Sequence, residues 1–144
     1  MTQPSGNSPI VDAYNSGESH IRPIKTPKTV AKSLAIGNPA DGIYALAALR
    51  QSGGSAVSVP EEEIVEGIQL LAETEGIFTE TAGGVVIAGL KHIVKNNGIN
   101  SDEPTVAFIT GNGLKTLEAV EHIVDTVPIL PTVDSFADAI ANHS

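Results

Sequence analysis

The stretch Thr105-Val106-Ala107-Phe108-Ile109-Thr110, followed at once by Gly111-Asn112-Gly113, decides the fold. Its six leading residues are β-branched, aromatic or small, none is charged, and Pro104 and Gly111 bound them. A strand buried on both faces reads as a continuous apolar run, whereas a half-exposed strand alternates. The run therefore predicts an inner strand of a parallel sheet. The glycines predict a turn out of that strand, and residues 114–125 beyond it are helix-prone.

Working upstream, residues 85–94 are apolar nearly all round and predict a buried helix, stopped by Asn96-Asn97-Gly98. Ile77-Phe78-Thr79-Glu80 before it reads as a short buried strand. Pro60-Glu61-Glu62-Glu63 opens another helix, its carboxylates complementing the positive end of the helix dipole. That helix has an apolar stripe at Ile64, Ile68, Leu71 and Ala72 and a stop at Gly76. Residues 55–59 predict a short strand, and residues 40–51 a helix with Asn38 as N-cap, Pro39 at the first position and Gly53-Gly54 as stop. Residues 29–36 are helix-compatible, and residues 9–15 predict a short helix capped by Ser8. The opening Thr-Gln-Pro-Ser-Gly-Asn-Ser-Pro is dense in turn formers and shows no folded element of its own. Downstream, Pro128 and Pro131 lead to an amphipathic piece from Val133. Strands alternating with helices over short connections predict an α/β fold, a parallel sheet flanked by helices.

Composition bounds the chemistry. The 144 residues contain no Cys, which excludes a disulfide framework, a thiolate metal cluster and a cysteine nucleophile. With three Phe, two Tyr and no Trp, the core must be aliphatic. The net charge of −9 repels a polyanion, so nucleic acid is not an expected partner. Residues 1–40 carry +2 and the rest −11, the pattern of solvated acidic helix faces after a less acidic lead-in. No apolar run approaches the ~20 residues of a membrane span, and the expected location is cytoplasmic.

Ligands in open parallel sheets bind beyond the carboxyl ends of strands, which singles out Thr110, Gly111 and Asn112. The glycines admit a close backbone approach, and Thr110 and Asn112 supply a hydroxyl and an amide; the same residues also make an ordinary tight turn. Glu80, ahead of Thr81-Ala82-Gly83-Gly84, is a second candidate, with helix packing as the alternative use of those glycines. Ile36-Gly37-Asn38 before Pro39 is a third, a possible anion site that also reads as a capping turn. His20, His92, His122 and His143 have no ligand spacing, so no metal site is expected. Lys32 and Lys115 read as solvated lysines, and no catalytic constellation is visible.

Taken in order, Ile36-Gly37-Asn38-Pro39, Glu73-Thr74-Glu75-Gly76-Ile77-Phe78-Thr79-Glu80-Thr81-Ala82-Gly83-Gly84 and Thr110-Gly111-Asn112-Gly113-Leu114-Lys115 resemble the C-terminal part of the threonine synthase family, among the fold-type II enzymes dependent on pyridoxal 5'-phosphate (PLP). The likeness extends from about Thr2 to Val127, including Gln3-Pro4-Ser5-Gly6 through Pro9-Ile10-Val11. It implies part of the large domain of an enzyme, a carbon-oxygen lyase, converting O-phospho-L-homoserine and water to L-threonine and phosphate. It further implies that Thr110 hydrogen-bonds the pyridine nitrogen of PLP, with Ile36, Gly37, Asn38, Glu80, Gly111 and Asn112 lining the same cleft. Relatives often carry Glu-Pro where this chain has Glu80-Thr81, a departure that bears on the role of Glu80. The family's Schiff-base lysine, its substrate loop and its phosphate cup lie upstream of the matching region.

The resemblance therefore implies a chain with no catalytic residue of its own, inactive alone, whose partner is the missing N-terminal portion of the enzyme or a second copy of itself. The turn-rich start at Met1 reads as a cut through a longer chain. The expected division is a lead-in over residues 1–28, the α/β layer over 29–127, and a tail with a terminal helix over 128–144. A non-catalytic module binding a small anion or a protein at the Thr110 rim is the alternative.

Overall fold

The turn formers that open the chain fold into a strand. A computed structural model describes every residue except Ser101, Val124, Asp125 and Ser144. In it β1 (Thr2–Pro4) pairs in parallel with β2 (Val57–Val59), Thr2 opposite Val57, Gln3 opposite Ser58 and Pro4 opposite Val59. The expectation of an unfolded start is thus corrected. Proline is tolerated there because β1 is an edge strand, and a 3-10 turn, Ser5–Asn7, follows.

Gln3 then does what Ser8 was expected to do. Its Oε1 accepts from the backbone N–H groups of Ile10 and Val11 at 3.0 and 3.1 Å, satisfying two orphan donors of α1 (Pro9–Asn15). The Ser8 hydroxyl turns instead to Asp12 Oδ1 at 3.0 Å. A strand residue thereby fixes the direction of the helix that follows it.

Residues 29–36 contain only a single 3-10 turn, Lys32–Leu34, and not a helix. α2 (Gly42–Ser52) starts later than expected, with Asp41 and not Asn38 at its cap, because its first helical bond runs from Ala45 N to Asp41 O. α3 (Glu61–Glu75) ends where expected, at Gly76, whose φ of 67° is disfavoured for a residue with a Cβ. α4 (Thr81–Lys95) begins four residues before the expected buried run, so Gly83 and Gly84 lie inside its first turns.

The core is aliphatic. Ala31, Val59, Ile64, Val85 and Ala88 form one buried cluster, joined by Leu34, and Ile10, Ala13, Leu46 and Leu49 form another between α1 and α2. α4 packs against α3 and against both strands. The architecture is α/β, a small parallel sheet flanked by helices. Full burial of each large aliphatic side chain there contributes roughly 1.5–3 kcal/mol.

Three expected elements beyond α3 are corrected. Residues 77–80 are not a buried strand: Ile77 and Phe78 are exposed, and only Thr79 forms an isolated antiparallel bridge, to Asn112. Residues 105–110 form no strand, since no neighbour among the described residues offers them a ladder. The stretch 114–125 forms a 3-10 turn, Gly113–Ala119, and its positions 124 and 125 lie outside the described residues. α5 (Val133–His143) forms as its pattern predicts.

Candidate functional site

Two of the three candidate segments meet at the entrance to α4. Glu80 N donates to Gly111 O at 3.1 Å, Thr79 Oγ1 donates to the same oxygen at 3.0 Å, and Gly113 N donates to Phe78 O at 3.1 Å. Segments thirty residues apart in sequence thus form one corner. The glycines there are closely approached: a Cβ on Gly111 would fall on the Glu80 carboxylate and one on Gly113 on the Phe78 ring, so that either side chain would have to shift.

Glu80 caps α4, and only 6% of it is exposed. Its carboxylate stands at the positive end of the helix dipole, and Lys115 Nζ lies 3.6 Å from Oε1. Lys115 is therefore paired on the rim of this corner. Next in the chain, Thr81 N donates to Thr116 Oγ1 at 3.2 Å, while the Thr81 hydroxyl is buried and has no partner among the described residues.

Thr110 is exposed, and its hydroxyl makes no hydrogen bond among the described residues. Asn112 is half committed: its Oδ1 accepts from Leu114 N at 2.9 Å and caps the turn beyond, leaving its amide N–H groups available. The corner thus presents a neutral hydroxyl donor-acceptor, amide donors and a glycine floor, with one carboxylate shielded behind them.

Ile36, Gly37 and Asn38 stand apart. Gly37 is buried, its carbonyl accepting from Ile24 N at 2.9 Å, while Ile36 and Asn38 are exposed. No hydrogen bond among the described residues joins them to residues 110–112. The ion pair of Lys32 Nζ with Glu118 Oε1, 2.6 Å long, ties the Lys32–Leu34 turn to the Gly113–Ala119 turn. Asn7, fully buried, steadies the same loop by donating from Nδ2 to Leu34 O at 2.7 Å.

The hydrogen bond from Lys32 holds the Glu118 carboxyl below its ordinary range, reinforced by a hydrogen bond to its own backbone and by the lysine's charge. The pair therefore contributes above the ordinary glutamate pKa and is lost as pH falls through the depressed one. Lys32→Met is expected to return Glu118 toward the ordinary carboxylate value in a carboxyl-resolved NMR titration. A Glu118 curve identical in both proteins would show that the link does not form in solution.

Two supporting residues were not visible as such in the sequence. By its place in the first turn Glu61 complements the helix dipole, yet its Oε1 also accepts from Gly6 N at 3.0 Å and its Oε2 from Thr29 Oγ1 and Val30 N, each at 2.9 Å. Nothing local separates it from Glu62 and Glu63. Thr116, buried beneath α4, carried no signal either. His92 pairs with Glu63 at 2.6 Å across α3 and α4, away from this corner. Among the described residues no helix is long and apolar enough to cross a membrane. A groove of about 610 Å³ lined by Ile68, Ala72, Phe78, Leu117 and Val120 lies behind the corner and is almost wholly apolar.

Residues 1–111 match the family described as pyridoxal-phosphate dependent enzyme. The chain is 45% identical over 117 residues to a threonine synthase of Methanocaldococcus jannaschii, a match covering 81% of this chain and 29% of that protein. It is 41% identical over 138 residues to a threonine synthase of Methanosarcina acetivorans, covering 96% and 33%. Among solved structures it is similar to a threonine deaminase from T.th., with a TM-score of 0.54 and 18% identity over 87% of this chain and 39% of that one. That similarity concerns the fold. The chain spans about a third of the length of the relatives it matches.

Proposed function

This chain belongs to the pyridoxal-phosphate dependent enzymes, and on that premise we propose that it is the C-terminal portion of a threonine synthase, forming the wall on the pyridine side of the cofactor. The assembled enzyme would convert O-phospho-L-homoserine and water to L-threonine and phosphate. The observation that carries this reading is the exposed, unengaged Thr110 hydroxyl above the corner that Glu80 and Gly111 build.

The residues fit the group. The absence of a side chain at Gly111 lets the Glu80 carboxylate pack against it, so that residues 110–112 sit against the start of α4. The ring nitrogen needs one hydrogen-bonding partner, and Thr110 offers a neutral one. Bound there, the cofactor supplies an electron sink for negative charge developing on the substrate carbons. A hydroxyl, unlike a carboxylate, leaves the ring nitrogen largely unprotonated and so moderates that sink. Asn112 holds the turn that aims Thr110, and Lys115 balances Glu80 at the rim. Ile36, Gly37 and Asn38, which follow the turn that Lys32 ties to Glu118, would form a further wall of the cleft. The lysine that binds the cofactor covalently and the cup for its phosphate belong to the remaining portion of the enzyme, so this chain alone is inactive.

The test is complementation. The chain is mixed with the part of the M. jannaschii threonine synthase that it does not match, and cofactor absorbance and phosphate release from O-phosphohomoserine are followed. Thr110→Ala is expected to lower kcat roughly tenfold, about the loss of one hydrogen bond, with Thr110→Ser restoring most of it. Equal turnover by Thr110→Ala and the parent would remove Thr110 from the site. Calorimetric titration of PLP into the isolated chain is expected to show no selective binding; tight binding there would favour a self-sufficient binding module.

A further inference from the structure

The described residues end in a helix whose apolar face lies open. α5 (Val133–His143) places Val133, Phe136, Ala137 and Ile140 on one face, three and four residues apart, and turns Asp134, Asp138 and Asn142 away from it. A helix with such a stripe gains stability by lying on an apolar surface. Yet Val133 is 83% and Phe136 54% exposed, and among the described residues α5 contributes to neither buried cluster. Its start is fixed all the same. Phe136 N donates to Thr132 O at 3.2 Å, Ser135 N to Thr132 Oγ1 at 3.3 Å, and the Ser135 hydroxyl accepts from Leu130 N at 3.0 Å. The helix is formed before it docks, so little ordering cost remains to be met.

A surface of matching chemistry lies at the root of the same segment. The apolar groove of about 610 Å³ is lined by Ile68 and Ala72 of α3, by Leu117, Val120 and Ile123, and by Thr126. Six residues, 127–132, separate Thr126 from α5, and when extended they reach about 20 Å. The helix is thus tethered beside the groove, at an effective concentration on the order of millimolar. A helix from a second copy would have to arrive against a net charge of −9 on each chain. With Asp134 and Asp138 turned away from the stripe, docking leaves both carboxylates in water. We propose that α5 is a strap that closes onto this groove within its own chain, laying Val133 and Phe136 over Ala72, Leu117 and Val120. The strap clamps the Gly113–Ala119 turn onto α3, and because Thr116 in that turn accepts from Thr81 N, closure stiffens the start of α4 as well. Closure is a matter of packing and stands whether or not the corner takes a cofactor.

The chain has no Cys, so an introduced pair of thiols reacts with a short bismaleimide without background. In the full chain, Ala72→Cys with Ala137→Cys on the apolar face is expected to crosslink about tenfold faster than Ala72→Cys with Asp138→Cys, and to run as a monomer. Amide exchange supplies a second measurement. Val120 N donates to Leu117 O at 3.0 Å and Ile123 N to Val120 O at 2.9 Å. Phe136→Asp, at an exposed position, is expected to speed exchange at both amides about tenfold while leaving the amides of α1 unchanged. Equal crosslinking rates for the two pairs, a product that runs as a dimer, or unchanged exchange at Val120 and Ile123 in Phe136→Asp would each overturn the strap.

Discussion

Gly84→Ala is expected to lower the stability of the chain by about 3 kcal/mol, a fall in melting temperature of about 6–12 °C. Helix propensity predicts the opposite sign, since alanine is favoured over glycine in a helix interior by about 1 kcal/mol. Packing decides the matter. A Cβ on Gly84 would land on the Ile64 carbonyl of α3, and one on Gly67 of α3 would land on the Gly84 carbonyl of α4. Both obstacles are backbone, which cannot swing aside as a side chain can, so the helices must separate and disturb Ile64, Val85 and Ala88 between them. Gly67→Ala is expected to cost as much, and the double variant less than the sum, because one separation relieves both clashes. Thermal denaturation of the three variants checks this, and a melting temperature at or above that of the parent for Gly84→Ala would show that the helices do not approach so closely.

Glu61→Ala is expected to cost about 2–3 kcal/mol. The carboxylate accepts from Gly6 N, Thr29 Oγ1 and Val30 N, and so ties the segment after β1 and the approach to the Lys32–Leu34 turn onto the first residue of α3. Glu61→Gln keeps one acceptor oxygen and is expected to lose about half as much. Glu62→Ala, at an exposed neighbour, is expected to stay within about 0.5 kcal/mol of the parent. Chemical denaturation gives the three values, and amide exchange at Gly6 and Val30 identifies the bonds lost. Equal costs for Glu61→Ala and Glu62→Ala would return Glu61 to the simple role of complementing the helix dipole.

How far the sequence is readable follows the range of the interactions involved. The helices of residues 9–15, 61–75 and 133–143 were legible because each depends on neighbours three or four residues away and on its own stop signals. Capping groups were misassigned where a distant residue took over a local role, as when Gln3 capped α1 in place of Ser8. Strands fared worse. The β-formers of residues 105–110 are plain in the sequence, but a strand exists only as one member of a ladder, and no partner stands among the described residues. Residues 77–80 are likewise reduced to one bridge at Thr79.

The sequence by itself determined the α/β class, the aliphatic core and the order of motifs that resembles one enzyme family, because composition, periodicity and turn chemistry are local properties of the chain. Only the tertiary structure decided which of three adjacent glutamates anchors the lead-in, which glycines are steric necessities, and that Glu80 and Gly111 share a corner. Each of those depends on which backbone groups come within about 3 Å of one another after folding, and hydrogen-bond and van der Waals contacts of that range leave no trace in residue order.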